Sequence, residues 1–173
     1  MTDEVELRPV RKEDLDMLDE LTQDPAKTGE FEWFGWSDRW RWRRGWDDDG
    51  LISPDGGTLI VARDDDRLGL VNWRRQRITV PSSYCWEIGI ILRPEARGRG
   101  FGTQAQRLLA RYLFAHTTVH RIWAGTEVDN VAEQRALEKA GFIREGVSRG
   151  TGWRDGAWRD GVIYSLLRTD PAV

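Results

Sequence analysis

Residues 84–103 read YCWEIGIILRPEARGRGFGT, and this stretch decides the fold. Its first nine residues, Tyr84 to Leu92, form the most apolar run in the chain, and their β-branched content and short length favour a central strand over a helix. Pro94 ends that strand. Glycines at 98, 100 and 102 then leave the backbone uncovered just before a second pattern starts. From there Phe101, Ala105, Leu108, Leu109, Tyr112 and Leu113 recur at i, i+4, i+7, i+8, i+11 and i+12, the apolar stripe of an amphipathic helix. A strand, a glycine-rich turn and a helix in that order bring unpartnered N–H groups and the positive end of a helix dipole to the turn. Such a turn cradles an anion, with Arg97 and Arg99 near enough to help. The plain alternative is a tight strand-to-helix connection.

Two other nucleotide motifs fail on spacing. A Walker loop requires Gly-Lys-Ser/Thr, and Gly100-Phe101-Gly102-Thr103 supplies no lysine. A dinucleotide fingerprint requires G-x-G-x-x-G in the first strand-helix-strand unit, whereas Gly98-x-Gly100-x-Gly102 has the wrong last interval and comes late in the chain.

Upstream, Val5-Glu6-Leu7-Arg8 alternates as a short strand. Leu15, Leu18 and Leu21 repeat at helical spacing within residues 12–21 until Asp24-Pro25 stops the helix. Residues 30–46, EFEWFGWSDRWRWRRGW, hold five tryptophans in seventeen positions, and a helical turn would set Trp33, Trp36 and Trp40 on one stripe. Residues 47–57 read as loop, and residues 58–63 and 68–73 as a hairpin. Downstream, residues 120–127 form another strand and residues 130–140 a short helix with Gly141 as its left-handed cap. Residues 142–147 and 161–167 complete the sheet. No linker, repeat or low-complexity segment divides the chain, so one mixed α/β (α+β) domain is expected over residues 1–173.

Composition bounds the chemistry. With 173 residues and 39% apolar content, folding buries roughly two-thirds of the extended surface without a metal or disulfide. The balance of 26 Lys+Arg against 29 Asp+Glu, a net charge of −3, counts against a nucleic-acid binder driven by bulk phosphate attraction. Cys85 is the single cysteine, which excludes an internal disulfide, and His116 and His120 are the only histidines, so no metal site is expected. The start, MTDEVELRPV, lacks the basic and apolar regions of a signal peptide, and no stretch approaches the ~20 apolar residues of a membrane span. A reducing, cytoplasmic compartment and no membrane partner are the resulting expectations.

The arrangement Arg97-Gly98-Arg99-Gly100-Phe101-Gly102, after an apolar strand and Arg93-Pro94-Glu95-Ala96, resembles the acyl-coenzyme A signature of the GNAT acyltransferase superfamily. The run Asn130 to Phe142, NVAEQRALEKAGF, is similar to the second signature of the branch that contains the ribosomal-protein N-terminal acetyltransferases. With Arg159-Asp160 and Tyr164-Ser165-Leu166-Leu167 at the close, the resemblance covers residues 58–168. It implies a mixed, mostly antiparallel sheet of six to seven strands with about four flanking helices. The sheet splays between its fourth and fifth strands, and strand 84–92 carries a bulge. Residues 58–168 form the cofactor core, and residues 1–57 roof the acceptor side.

The resemblance also implies acetyl-coenzyme A as donor. Backbone groups of Ile90 and Leu92 would bond the pantetheine arm, and an amide near Ile90 or Ile91 would polarise the thioester. Gly98, Arg99, Gly100, Phe101, Gly102 and Thr103, flanked by Arg97, would hold the pyrophosphate, and Asn130 the pantetheine or phosphate region. Asn130 equally suits an N-cap, with Glu133 completing a capping box.

Acyl transfer to an amine sets definite demands. An ammonium has no lone pair, so a carboxylate or water chain must take its proton, and a tetrahedral oxyanion needs an N–H donor. The departing thiolate, with a free-thiol pKa near ~8.5, needs little general acid. Glu87, a carboxylate inside an apolar strand, is the first candidate base, its plain alternative being an ion pair with Arg74, Arg75 or Arg77. Glu127, at the end of the next strand, is the second, and Glu133 the third. The family's catalytic pattern is departed from: its serine three residues after the asparagine is Glu133 here, and its tyrosine seven residues after it is Leu137. A glutamate five residues before it is Gly125.

For the acceptor, the indoles of Trp33, Trp36 and Trp40, with Glu30, Glu32 and Asp47 to Asp49, suit a cationic amine, a small molecule or a peptide N-terminus. The same tryptophans serve equally as core anchors or as a homodimer face. Arg39, Arg41, Arg43 and Arg44 between them open an RNA- or ribosome-binding alternative. The missing catalytic positions open another, a non-catalytic acyl-coenzyme A-binding or interaction protein.

Overall fold

The computed structural model describes residues 4–78, 80 and 83–171. Its strands are β1 (Glu6–Pro9), β2 (Ile52–Ser53), β3 (Gly56–Arg63), β4 (Asp66–Arg77), β5 (Tyr84–Leu92), β6 (Arg121–Glu127), β7 (Ile143–Arg154) and β8 (Ala157–Leu167). The α-helices are α1 (Leu15–Gln23), α2 (Pro25–Thr28), α3 (Arg41–Asp49), α4 (Phe101–His116) and α5 (Val131–Lys139). The sheet runs in the order β1-β3-β4-β5-β6-β8-β7, with β2 on β3.

Every neighbouring pair is antiparallel except β5 and β6. Parallel neighbours need a crossover, and α4 supplies it. The parallel ladder is short: only Trp86↔Ile122 and Glu87↔Trp123 pair. Beyond them β5 stays with β4 up to Gly69↔Leu92, while β6 stays with β8 down to Glu127↔Gly161. The two strands therefore diverge into a V-shaped gap, the splay expected between the fourth and fifth strands, shifted by one number because the short β2 intervenes.

Alternate side chains of the central strands feed two cores. On one face Val61, Val71, Trp73 and Ile88 pack with Leu109 and Leu113 of α4 and Leu137 of α5. On the other, Ile60, Leu70 and Ile91 pack with Leu15, Leu18 and Leu21 of α1 and Trp42 of α3. The helices thus cover both faces and leave the gap between β5 and β6 as the breach in the middle.

Five local expectations need correction. The helix expected over residues 12–21 is a 3-10 turn at Lys12–Asp14 followed by α1. Helix α3 starts at Arg41, so Trp33, Trp36 and Trp40 lie in the turns before it and share no helical stripe. That helix runs through the aspartates read as loop, ending at Gly50 in the left-handed region (φ 68°). The bulge expected in β5 has no counterpart in the β4–β5 register, which is unbroken; register shifts occur between Val61 and Ala62 in the β3–β4 ladder and at Arg144/Gly146 and Ser148/Gly152 in the β7–β8 ladder. The closing hairpin is also longer than its apolar pattern, reaching a turn at Asp155-Gly156.

Candidate active site

Three pieces of backbone frame the gap. In an antiparallel ladder the N–H and C=O of one residue point to the same side, alternating along the strand. Arg93 N–H donates to the Leu68 carbonyl of the β4 segment, so the groups of Ile90 and Leu92 face the gap and those of Ile91 face β4. Of the two amides considered for the thioester oxygen, that of Ile90 is the one directed into the gap. The Ile90 and Leu92 side chains lie beneath Gly102, whose bare Cα leaves van der Waals room and no more.

The second piece is the start of α4. Gly98 (φ 71°) and Gly100 (φ 81°) occupy the left-handed region, a conformation that costs other residues about 1–2 kcal/mol, and open space lies above both. No side chain caps this helix. Its first-turn N–H groups therefore remain available, and the residues fit the pyrophosphate of an acyl-coenzyme A. Arg99 stands over the Phe101 ring at 4.8 Å with its guanidinium free to reach an anion.

Arg97 is employed differently. Its Nε donates to the Leu92 carbonyl at 2.9 Å, and its Nη2 donates to the Thr28 carbonyl at 3.1 Å and to that of Lys27. The guanidinium lies against Gly29, where a Cβ would come within 2.9 Å of it. Arg97 thus ties the cradle loop and the end of β5 to the end of α2.

The third piece is Asn130. Its Oδ1 accepts from Glu133 N–H at 3.3 Å, and its Nδ2 donates to Thr126 Oγ1 at 2.9 Å. The N-cap is present, but the capping box is not closed by Glu133. That carboxylate turns inward and accepts from Gln106 Nε2 of α4 at 2.8 Å, while Gln106 Oε1 is buried with no partner. Burial, with Glu32 adding repulsion, pushes Glu133 up to about 8.

On the roof side a cleft of about 1010 Å³ opens between the two arms of the gap, lined by Ile88 to Ile91 of β5 and Gly125 to Glu127 of β6. Phe31, Glu32, Phe34 and Trp42 close it from the roof. Both carboxylates favoured as bases lie on its wall, and both are engaged. Glu87 takes a bidentate pair from Arg74 (2.6 and 2.8 Å), its direct cross-strand partner. Glu127 takes another from Arg154 (2.6 and 2.8 Å), both groups being buried. The hydrogen bonds from Arg154 hold the Glu127 carboxyl below its usual range.

Glu32 differs from both. It faces the cleft with no bonded cation; its side chain stays exposed to the open cleft, and the walls crowded around it push its carboxyl up to about 7, against Arg97, which lowers it, and with Glu127, which raises it. The sequence grouped Glu32 only with charges suited to an amine. That shift was not legible in the sequence, because it arises from cleft walls contributed by residues remote in the chain.

The raised Glu32 and Glu133 set a stability prediction. Between the unfolded value of 4.5 and the folded values near 7 and 8, the native state holds protons that the unfolded chain has lost. Native stability therefore falls as pH rises through that window. Glu133→Gln is expected to flatten the fall, measured as urea midpoints between pH 5 and pH 8; an unchanged slope would contradict the assignment.

The tryptophans proposed for the acceptor are placed apart from this cleft's lining. Trp36 is 81% and Trp40 57% exposed, Trp33 packs edge-on against Trp36, and Trp40 lies under Arg39 and Arg43. Trp42, Trp73 and Trp123 are the indoles that reach the cleft. Of the closing-strand residues, Asp160 lines the cleft, whereas Tyr164 is buried and donates to Glu138 Oε1 at 3.0 Å. Among the described residues no His, Cys, Asp and Glu side chains group as metal ligands, and no helix is long and apolar enough to cross a membrane.

Comparison with known proteins agrees with this geometry. Over 113 residues the chain is 34% identical to a probable N-acetyltransferase, YjcK, of Bacillus subtilis (strain 168), a match that spans 65% of this chain and 61% of that relative. The fold superposes on a spermidine N-acetyltransferase from Vibrio cholerae, solved with CoA and spermine, with a TM-score of 0.81 and 20% identity over 98% of each chain. It superposes equally on RimL, a ribosomal L7/L12 alpha-N-protein acetyltransferase solved with coenzyme A, with a TM-score of 0.78 and 16% identity over 96% of this chain and 95% of that one. The acetyltransferase (GNAT) domain model matches residues 4–143. With a splayed β5–β6 pair, a glycine cradle at the α4 N-terminus and most of its length matched by that model, the chain belongs to the GNAT acetyltransferase family.

Proposed function

We propose that this protein is an acetyl-coenzyme A-dependent N-acetyltransferase that acts directly on a primary amine. The observation that carries the reading is the continuity of the site. One breach in the sheet joins a cradle that fits a pyrophosphate to a cleft that presents Glu32. Bound acetyl-coenzyme A supplies the activated thioester. The Ile90 carbonyl and the Leu92 N–H face the arm as a neighbouring strand would, the Leu92 carbonyl being held by Arg97, and Ile90 N–H holds the charge that develops on the thioester oxygen. Glu32, poised near neutrality, takes the proton from the incoming ammonium. Glu87 and Glu127 keep the walls in place through Arg74 and Arg154. The acceptors named for two structural neighbours, spermidine and the L7/L12 protein N-terminus, are primary amines, which supports this reading.

The test is thiol release from acetyl-coenzyme A across polyamines, amino acids and peptides with free N-termini. Release that depends on one amine class is the expected result. Tight coenzyme A binding without release for any amine would overturn catalysis in favour of a binding module.

A further inference from the structure

Resting on that reading, we propose that the acceptor is an anionic amine: a primary amine whose molecule also carries a carboxylate or phosphate, which Arg159 and Arg41 of the cleft wall receive. The argument is an account of which cleft charges are already engaged. On the acidic side, Glu87 and Glu127 are each held by two short bonds from arginine. Asp160 accepts from Gly150 N–H at 2.7 Å, Asp49 from Leu51 N–H at 2.8 Å, and Asp55 lies 3.5 Å from Arg75. Glu32 is the remaining carboxylate, and it is needed for the reacting amine.

On the basic side, Arg74 is paired with Glu87, whereas Arg41 feels Asp38 and Asp19, and Arg159 feels Glu127, only through space, with no carboxylate among the described residues bonded to either. Both line the cleft, and among the described residues neither forms a salt bridge or donates a side-chain hydrogen bond to protein. The Arg41 guanidinium stands over the Trp42 ring at 4.4 Å. Arg159 Nε is shut off from solvent with no acceptor at all. That closed Nε fixes the stem within the wall, and a carboxylate or phosphate oxygen is the acceptor that the guanidinium fork matches.

The experiment uses matched amines that differ by the anion alone: lysine against cadaverine for carboxylate, and phosphoethanolamine against ethanolamine for phosphate. Binding to the coenzyme A-loaded protein is read by calorimetry, and kcat/KM by thiol release. The anionic member of at least one pair is expected to lead by about tenfold in both readouts, and the leading pair identifies the anion. Arg159→Gln should carry that ratio toward one, Arg159→Lys should keep part of it, and Arg41→Gln gives an independent loss from the other wall. Equal or better use of the diamine or of ethanolamine, or a ratio untouched by Arg159→Gln and Arg41→Gln, overturns the inference while the acetyltransferase reading stands. Absence of binding and turnover for all four amines overturns it as well. Absence of coenzyme A binding overturns the parent reading instead, and calorimetry with coenzyme A alone separates the two.

Discussion

Glu32→Gln is expected to lower kcat/KM by about 10²- to 10⁴-fold, the usual contribution of a positioned general base, while coenzyme A affinity stays within about twofold. The substitution is isosteric and removes only the capacity to take a proton. Glu32 makes no ion pair that glutamine would break, because Arg97 spends its donors on the carbonyls of Leu92, Lys27 and Thr28. The pH profile gives the sharper reading. A base with a pKa of about 7 is competent above that value, so wild-type kcat/KM should rise through pH 7. That limb should vanish in the variant, leaving the later rise due to the amine itself. A variant that keeps its rate and its limb would remove Glu32 from the mechanism and return Glu87 or Glu127 to it.

Glu127→Ala carries the other large effect, and it is on stability. It breaks the bidentate pair and leaves the Arg154 guanidinium with Asp155 alone, bonded to Nη1 at 2.8 Å, so the loss is at most about 3–5 kcal/mol, that of a broken buried pair. For a chain of this length that corresponds to a fall of roughly 10 °C in Tm. The pair is also pH-linked. The Glu127 pKa is depressed, so its stabilisation is complete above the unfolded value of 4.5 and disappears as pH falls through the lower folded value. Urea midpoints at pH 7 and pH 4 should show the variant's deficit shrinking with acid. Arg154→Met in the same chain should recover most of the loss at pH 7, since removing both charges avoids the unpaired one. A Glu127→Ala protein of full stability but no turnover would mean that this carboxylate acts on the substrate and not on the fold.

What the sequence by itself determined is the part written in short-range pattern. The run Tyr84 to Leu92 and the stripe from Phe101 to Leu113 place β5 and α4 because periodicity acts through neighbouring backbone. Gly98 and Gly100 place the cradle because few other residues tolerate a positive φ. Asn130 caps α5 and Gly141 (φ 96°) ends it for equally local reasons. The roles of the charges were decided by tertiary structure alone. Arg74, Arg75 and Arg77 were equal partners for Glu87 on paper, and the β4–β5 register chose Arg74 by setting it directly opposite. Arg154 reaches Glu127 only because the β7–β8 hairpin extends beyond its apolar residues. Trp33, Trp36 and Trp40 had a helical spacing but no helix, since the chain before Arg41 turns instead. Whether a carboxylate is base, wall or proton store depends on distances between residues remote in sequence and on the water displaced around them. Those quantities exist only once β5 and β6 have parted and the roof has closed over the gap.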